Sequence, residues 1–151
     1  DMDHEYYMGL ALELAREAAA AGEVPVGCVI VRDGAVIGRG RNRREEKQAV
    51  FSHAEMEAMA EANAAIGSWR LEDCTLYVTL EPCPMCAGAI VQARIDRVVI
   101  GADSPKNGCG GTLMNILQNP QFNHQVELTR GVLAEESAAL LKRFFKSVRQ
   151  S

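Results

Sequence analysis

Residues 74–80 (Cys-Thr-Leu-Tyr-Val-Thr-Leu) form a β-branched apolar run, and residues 83–93 a helical stretch carrying Ala87, Gly88 and Ala89. Residues 97–102 are a second short apolar run. Strand, helix and strand at this spacing fit one arrangement, two parallel neighbours joined by a right-handed crossover. Such a sheet must be covered on both faces, and the preceding chain offers the cover. Residues 3–21 place Tyr7, Leu10, Ala11, Leu14, Ala15 and Ala18 at helical spacing, with Glu13, Arg16 and Glu17 opposite, and Gly22 stops the helix. Residues 24–31 and 35–41 read as two strands turning at Asp33-Gly34, because both central positions of a type I′ turn take positive φ.

Residues 43–48 read as a charged loop, and Ser52 as the N-cap of a helix over residues 53–66 that Gly67 ends. Residues 103–111 read as a glycine-rich surface loop, 112–117 as one or two helical turns, 126–128 as a last strand and 134–149 as an amphipathic helix. The expected fold class is α/β, a mixed sheet of about five strands with helices on both faces, in a single domain over residues 1–151.

With 48% hydrophobic and 24% charged residues among 151, the chain is an ordinary globular one, long enough to bury a core. A formal charge of −4 gives no bulk attraction to nucleic acid or to an anionic membrane, so any phosphate-binding surface must be local. The tetrapeptide Asp1-Met2-Asp3-His4 has neither a basic nor an apolar leader region, so no secretory signal is expected. No apolar run approaches the roughly 20 residues that span a bilayer. Five cysteines without a regular framework favour a reducing compartment, and the cytoplasm is the expected location.

Chemistry concentrates in His53-Ala54-Glu55 and Pro82-Cys83-Pro84-Met85-Cys86. One imidazole and two thiols make three zinc ligands and leave a fourth tetrahedral position for water, whereas structural sites are closed by four protein ligands. A Cys-x-x-Cys pair also occurs in thioredoxin-like redox motifs and as half of a structural zinc site. The redox motif needs no His-x-Glu upstream. The structural site needs a fourth ligand, to be drawn from Cys28, Cys74, Cys109, His4 and His124. Cys28 and Cys74 fall in apolar strand patterns as packed thiols, which leaves Cys109, on the loop, as the rival ligand.

Cys83 and Cys86 at the start of a helix gain from its dipole as thiolates. Zinc held there lowers the pKa of a bound water from 15.7 toward about 7, and Glu55 is placed to carry that proton. The H-E-x-x-H pattern of zinc peptidases is absent. Asn42, just past the second strand, reads from spacing alone as a turn residue.

With these residues placed, the chain resembles the bacterial tRNA adenosine deaminases of the cytidine deaminase-like superfamily over nearly its whole length. The resemblance rests on Glu23-Val24-Pro25-Val26-Gly27, Asn42-Arg43, His53-Ala54-Glu55, the run from Leu76 through Pro82-Cys83-Pro84-Met85-Cys86 to Ala89, and Arg94-Ile95 through Gly101-Ala102. It implies a three-layer α/β/α fold, a homodimer, one zinc ion per subunit, and hydrolysis of adenosine to inosine at the wobble position of a tRNA anticodon. By position, His53, Cys83 and Cys86 match the zinc ligands, Glu55 the proton shuttle, and Asn42 the residue that hydrogen-bonds the flipped-out base.

Two departures bear on the substrate and leave the metal chemistry alone. Ala49-Val50-Phe51-Ser52, expected beside the pocket, stands where many members have Asp-Pro-Thr-Ala, and Ser104 stands where many have an acid. A deaminase of free nucleobases or nucleosides, of guanine or cytidine type, is the alternative function, and a binding module with a structural zinc is a third. On the last helix Lys142, Arg143, Lys146 and Arg149 offer cations for phosphates, while Phe144 and Phe145 read as core residues.

Overall fold

The computed structural model describes residues 3–150; Ser151 lies outside them, as do Asp1 and Met2 of the tetrapeptide read for a leader. Helix α1 (His4–Ala20) starts where the Asp3 carboxylate accepts the N–H of Tyr6 at 3.0 Å. Strands β1 (Gly27–Arg32) and β2 (Ala35–Arg41) form the expected hairpin, with φ of 51° at Asp33 and 76° at Gly34. β1 begins later than the hydrophobic run: Val24 and Val26 border a cavity, and Val26 also packs against the core.

The order continues with α2 (Arg44–Lys47), α3 (Ala54–Ile66), β3 (Cys74–Leu80), α4 (Pro84–Gln92), β4 (Arg97–Ala102), β5 (Glu127–Thr129) and α5 (Ala134–Gln150). The short α2 replaces the expected charged loop. Its first-turn N–H groups, on Glu45 and Glu46, are accepted at 3.1 and 2.7 Å by the carboxylate of Glu23, a partner that local sequence does not reveal. Residues 112–117 form no helix. Gly110 and Asn115 instead make an isolated bridge, and Leu117 is buried in the core.

The strands lie in the order β2-β1-β3-β4-β5. β1 runs antiparallel to both neighbours, while β3, β4 and β5 are parallel, so the crossover read from the sequence is present in a mixed five-stranded sheet. Alternation along the strands divides the core in two. Cys28, Ile30, Leu76, Val78, Val98 and Ile100 face α3 and α4, which contribute Ala54, Ala58, Ala87 and Ile90. Val29, Val31, Tyr77 and Val99 face Met8 and Ala11 of α1. α5 packs on β4 beside α1, which completes the three-layer α/β/α arrangement. No helix among the described residues is long and apolar enough to cross a membrane.

One close approach fixes the mouth of α3. A Cβ on Gly40 would lie 2.2 Å from the carbonyl oxygen of Ala54 and 2.6 Å from the nitrogen of Ala58. Only glycine lets the first turn of α3 rest on β2. That turn carries His53 and Glu55.

Candidate metal centre and its cavity

His53 is the N-cap of α3, extended at φ −87° and ψ 158°, and it displaces the expected cap, Ser52, which is buried just before it. Cys83 is the N-cap of α4 at φ −76° and ψ 173°; Pro84 opens the helix and Cys86 sits within the first turn. The β3–α4 connection thus leaves the carboxyl end of a parallel strand, where open α/β sheets gather ligand sites. Two helix mouths converge, and their dipoles favour negative charge between them.

The Nδ1 atom of His53 lies 3.6 Å from Sγ of Cys83 and 3.5 Å from Sγ of Cys86. Zn–S bonds of about 2.3 Å and Zn–N bonds of about 2.0 Å at the tetrahedral angle separate nitrogen and sulfur by roughly 3.5 Å. The donor set therefore fits a tetrahedral zinc ion. Among the described residues these three form one group of His, Cys, Asp or Glu side chains able to hold a metal, with all ligand atoms within 4.8 Å of one another. Cys109 is not in it. The expected flexible loop is folded inward there, Cys109 is buried, and its N–H donates to the carbonyl of Pro82 at 2.9 Å.

Charge is distributed unevenly across the cluster. The hydrogen bond from Cys86 holds the Cys83 thiol down to about 4, and serving as that donor, together with burial, pushes Cys86 up. His53 is raised by its hydrogen bond to Cys83. Glu55, in the first turn of α3 and only 4% exposed, is pushed up by burial to about 7, with its own backbone N–H opposing the rise. A carboxyl poised near neutrality can both accept and return a proton.

His53, Glu55 and Cys83 form the floor of a cavity of about 520 Å³, a size that suits a small-molecule or nucleobase ligand, with Cys86 buried behind them. Val24, Val26 and Leu80 line one side, Asn42 and Arg44 another, and residues 103–107 a third. Leu141 and Phe145 of α5 close the remaining side. Asn42 proves to be both a turn residue and a lining one: its Oδ1 accepts the N–H of Arg44 at 3.1 Å, its Nδ2 donates to the carbonyl of Val24 at 3.3 Å, and its side chain borders the cavity.

Phe145 is 42% exposed over the opening, so it is not the core residue its sequence context suggests. Phe144 stacks edge-on against it at 5.5 Å. Residues 49–52 stand outside the cavity lining. Val50 and Phe51 face solvent, and the segment meets the site through its backbone: the N–H of Ala49 donates to the carbonyl of Arg44 at 3.2 Å, and the carbonyl of Phe51 accepts the N–H of His53 at 2.9 Å. Ser104 does line the cavity, nearly buried.

His4 and His124 are structural, bonded to the Tyr77 hydroxyl at 2.8 Å and the Ile95 carbonyl at 2.7 Å. Arg44 and Lys106 on the rim, and the buried carboxylates Glu23 and Glu81 behind the walls, escaped the reading of the sequence. The signal for both carboxylates was their place inside the stretches that carry the resemblance.

Known proteins resemble the chain over most of its length. A family model described as MafB19-like deaminase matches residues 2–149. A tRNA-specific adenosine deaminase of Bacillus subtilis is 53% identical over 97% of this chain and 91% of its own length. Among solved structures, one from work on tRNA:A34 deaminases that edit A to I at the wobble position is 43% identical. It has a TM-score of 0.86 and covers 89% of this chain and 98% of its own. A guanine deaminase from Nitrosomonas europaea aligns with a TM-score of 0.81 at 28% identity, over 93% of this chain and 83% of its own.

Proposed function

From the premise that this chain belongs to the tRNA-specific adenosine deaminases, within the MafB19-like deaminase family, we propose that it hydrolyses adenosine to inosine at the wobble position of a tRNA anticodon. In this reading His53, Cys83 and Cys86 hold one zinc ion, Glu55 is the catalytic acid–base, and Asn42 holds the base. The observation that carries it is the donor spacing: a nitrogen 3.6 and 3.5 Å from two sulfurs, beside a buried carboxyl, at the floor of a cavity.

Zinc supplies Lewis acidity, bringing the pKa of a coordinated water down from 15.7 toward about 7. Glu55, as the carboxylate, takes a proton from the attacking water and, as the acid, passes it to the ring nitrogen adjacent to the reacting carbon. It then takes the remaining proton from the hydroxyl added to that carbon and hands it to the departing amine as the C=O forms and the C–N bond breaks, so adenosine and water give inosine and ammonia. Asn42 is pre-set by its two backbone hydrogen bonds and presents its remaining amide capacity to the base edge. Val24, Val26 and Leu80 exclude bulk water from the reacting face.

The base must leave its stack to reach the floor, which costs little in a single-stranded anticodon loop. Arg44 and Lys106 on the rim, with Lys142, Arg143, Lys146 and Arg149 exposed on α5, supply a local cationic path for the backbone on a chain of net charge −4. Phe145 offers a stacking face over the opening.

The likeness to a guanine deaminase favours a second reading, hydrolysis of free nucleobases or nucleosides. Incubating the protein with an anticodon stem-loop and, separately, with free nucleosides, and measuring inosine and ammonia, decides between them. Turnover of the stem-loop supports the RNA reading; turnover of free nucleosides alone overturns it.

The protein acts in the cytoplasm as a homodimer in this reading. The half-exposed Gly88 and Ala89 on the outer side of α4 support close approach of a second copy, and light scattering reads the mass directly.

A further inference from the structure

The Pro-Cys turn and the third cavity wall meet at one side chain. Glu81 follows β3 directly, two residues before Cys83, and its side chain is fully buried. Its Oε1 accepts the N–H of Ser104 at 3.0 Å and the hydroxyl of Thr112, and its Oε2 accepts the N–H groups of Gly110 at 2.9 Å and Thr112 at 3.0 Å. Arg130 approaches the same carboxylate at 3.6 Å, pairs with Asp103 at 2.7 Å and bonds the carbonyl of Gly110. The loop is held a second time where Cys109 donates to Pro82. A Cβ on Gly108 would lie 2.5 Å from the Glu81 carboxyl, so the loop wraps the carboxylate as closely as a backbone can.

Four hydrogen bonds occupy the roughly four lone-pair sites of a carboxylate, which leaves Glu81 no capacity to move a proton. What it can do is fix distance. The residues it clamps are continuous with Asp103, Ser104 and Lys106 on the cavity wall, and the residue two places after it is Cys83.

We propose that Glu81 is a positioning residue that locks the 103–112 loop to the Cys83 turn, so that the metal-ligand turn and the substrate-contacting wall move as one body. The side chain acts through the loop and touches no reacting atom. Its loss therefore shows in substrate capture more than in the chemical step, and leaves the metal in place.

The test uses the zinc-loaded protein and disturbs the clamp from both sides, with Glu81→Gln, Gly108→Ala and the double variant. Met8→Ala, in the core on the opposite face of the sheet, is the control, each protein being compared at the same interval below its own Tm. Gln keeps the shape of Glu81 but turns a donor toward N–H groups that need an acceptor. Amide exchange at Ser104, Gly110 and Thr112 should quicken about tenfold in both single variants while zinc stays bound. KM for an anticodon stem-loop should rise about tenfold with kcat within about threefold, and the double variant should be no worse than Glu81→Gln alone.

Unchanged loop exchange overturns the proposal, as does an equal change in Met8→Ala, which would make Glu81 a contributor to stability only. Zinc loss from Glu81→Gln overturns it too, and if that variant does not fold, Gly108→Ala carries the same readouts. The kinetic readout rests on the RNA deaminase reading and the exchange readout does not. A wild-type protein inert on the stem-loop therefore defeats that reading while the exchange still decides this one.

Discussion

Two cavities of nearly equal volume sit at opposite ends of the same sheet. The one at the carboxyl ends of β3 and β4, about 520 Å³, has His53, Cys83 and Glu55 on its floor. The other, about 560 Å³, opens beside the start of α1 and the hairpin turn, and is lined by Asp3, Tyr6, Tyr7, Asp33, Asp73 and Arg97. Several polar groups of the second are already committed locally: Asp3 caps α1, the Tyr7 hydroxyl donates to the carbonyl of Gly34 at 3.2 Å, and Arg97 bonds the hydroxyl of Thr75 at 2.8 Å and the carbonyl of Asp73 at 3.4 Å. In the first, two helix mouths and a buried carboxyl point at a common centre. Volume alone does not make a site. Convergence of donors, and a titrating group moved toward neutrality, do.

The comparison breaks most sharply on the metal ligands. Cys86→Ala should cost both zinc and measurable turnover, read by metal analysis and an ammonia assay on the same preparation. Glu55→Ala should keep the zinc and lose about 10³-fold in kcat; retained activity would remove the proton-shuttle role.

Because Glu55 must start as the carboxylate, and burial raises its pKa while a bound zinc ion would oppose that rise, kcat/KM should fall about tenfold for each pH unit below the titration of this carboxyl. The same burial has a stability sign. A carboxyl raised above its ordinary 4.5 binds its proton more tightly folded than unfolded, so its contribution is favourable below about 4.5 and is lost as pH rises through 7. Glu55→Gln should therefore stabilise the metal-free protein at pH 8 by up to about 3 kcal/mol, and change little at pH 4, in denaturant melts.

Gly40→Ala tests whether α3 must lie so close to β2; the backbone clash should destabilise by about 3 kcal/mol and loosen zinc, both measurable by thermal melts with and without the metal. At the other end, Arg97→Ala should alter stem-loop turnover less than about twofold. A larger loss would give the second cavity a role that its committed polar groups argue against.

The parts of the molecule legible in the sequence are those set by short spacing. Asp33-Gly34 fixed the hairpin through positive φ, unbroken apolar runs fixed β3 and β4, and two short motifs supplied every member of the donor cluster. What stayed hidden depends on partners distant along the chain. Gly108 and Gly110 read as flexibility, yet they are glycines so that a backbone can close around Glu81 from 27 and 29 positions away. Glu23 builds α2 from 22 positions upstream. Phe145 belongs to an amphipathic pattern that hides it in the core, but the cavity mouth lies where that face of α5 ends.

The central claim is an incompletely coordinated metal beside a carboxyl, and X-ray absorption at the zinc edge of the purified protein tests it most directly. The expected first shell is two sulfurs at about 2.3 Å and two lighter atoms at about 2.0 Å, one from imidazole and one from solvent. A third sulfur, a second imidazole, or an active protein without zinc would contradict it.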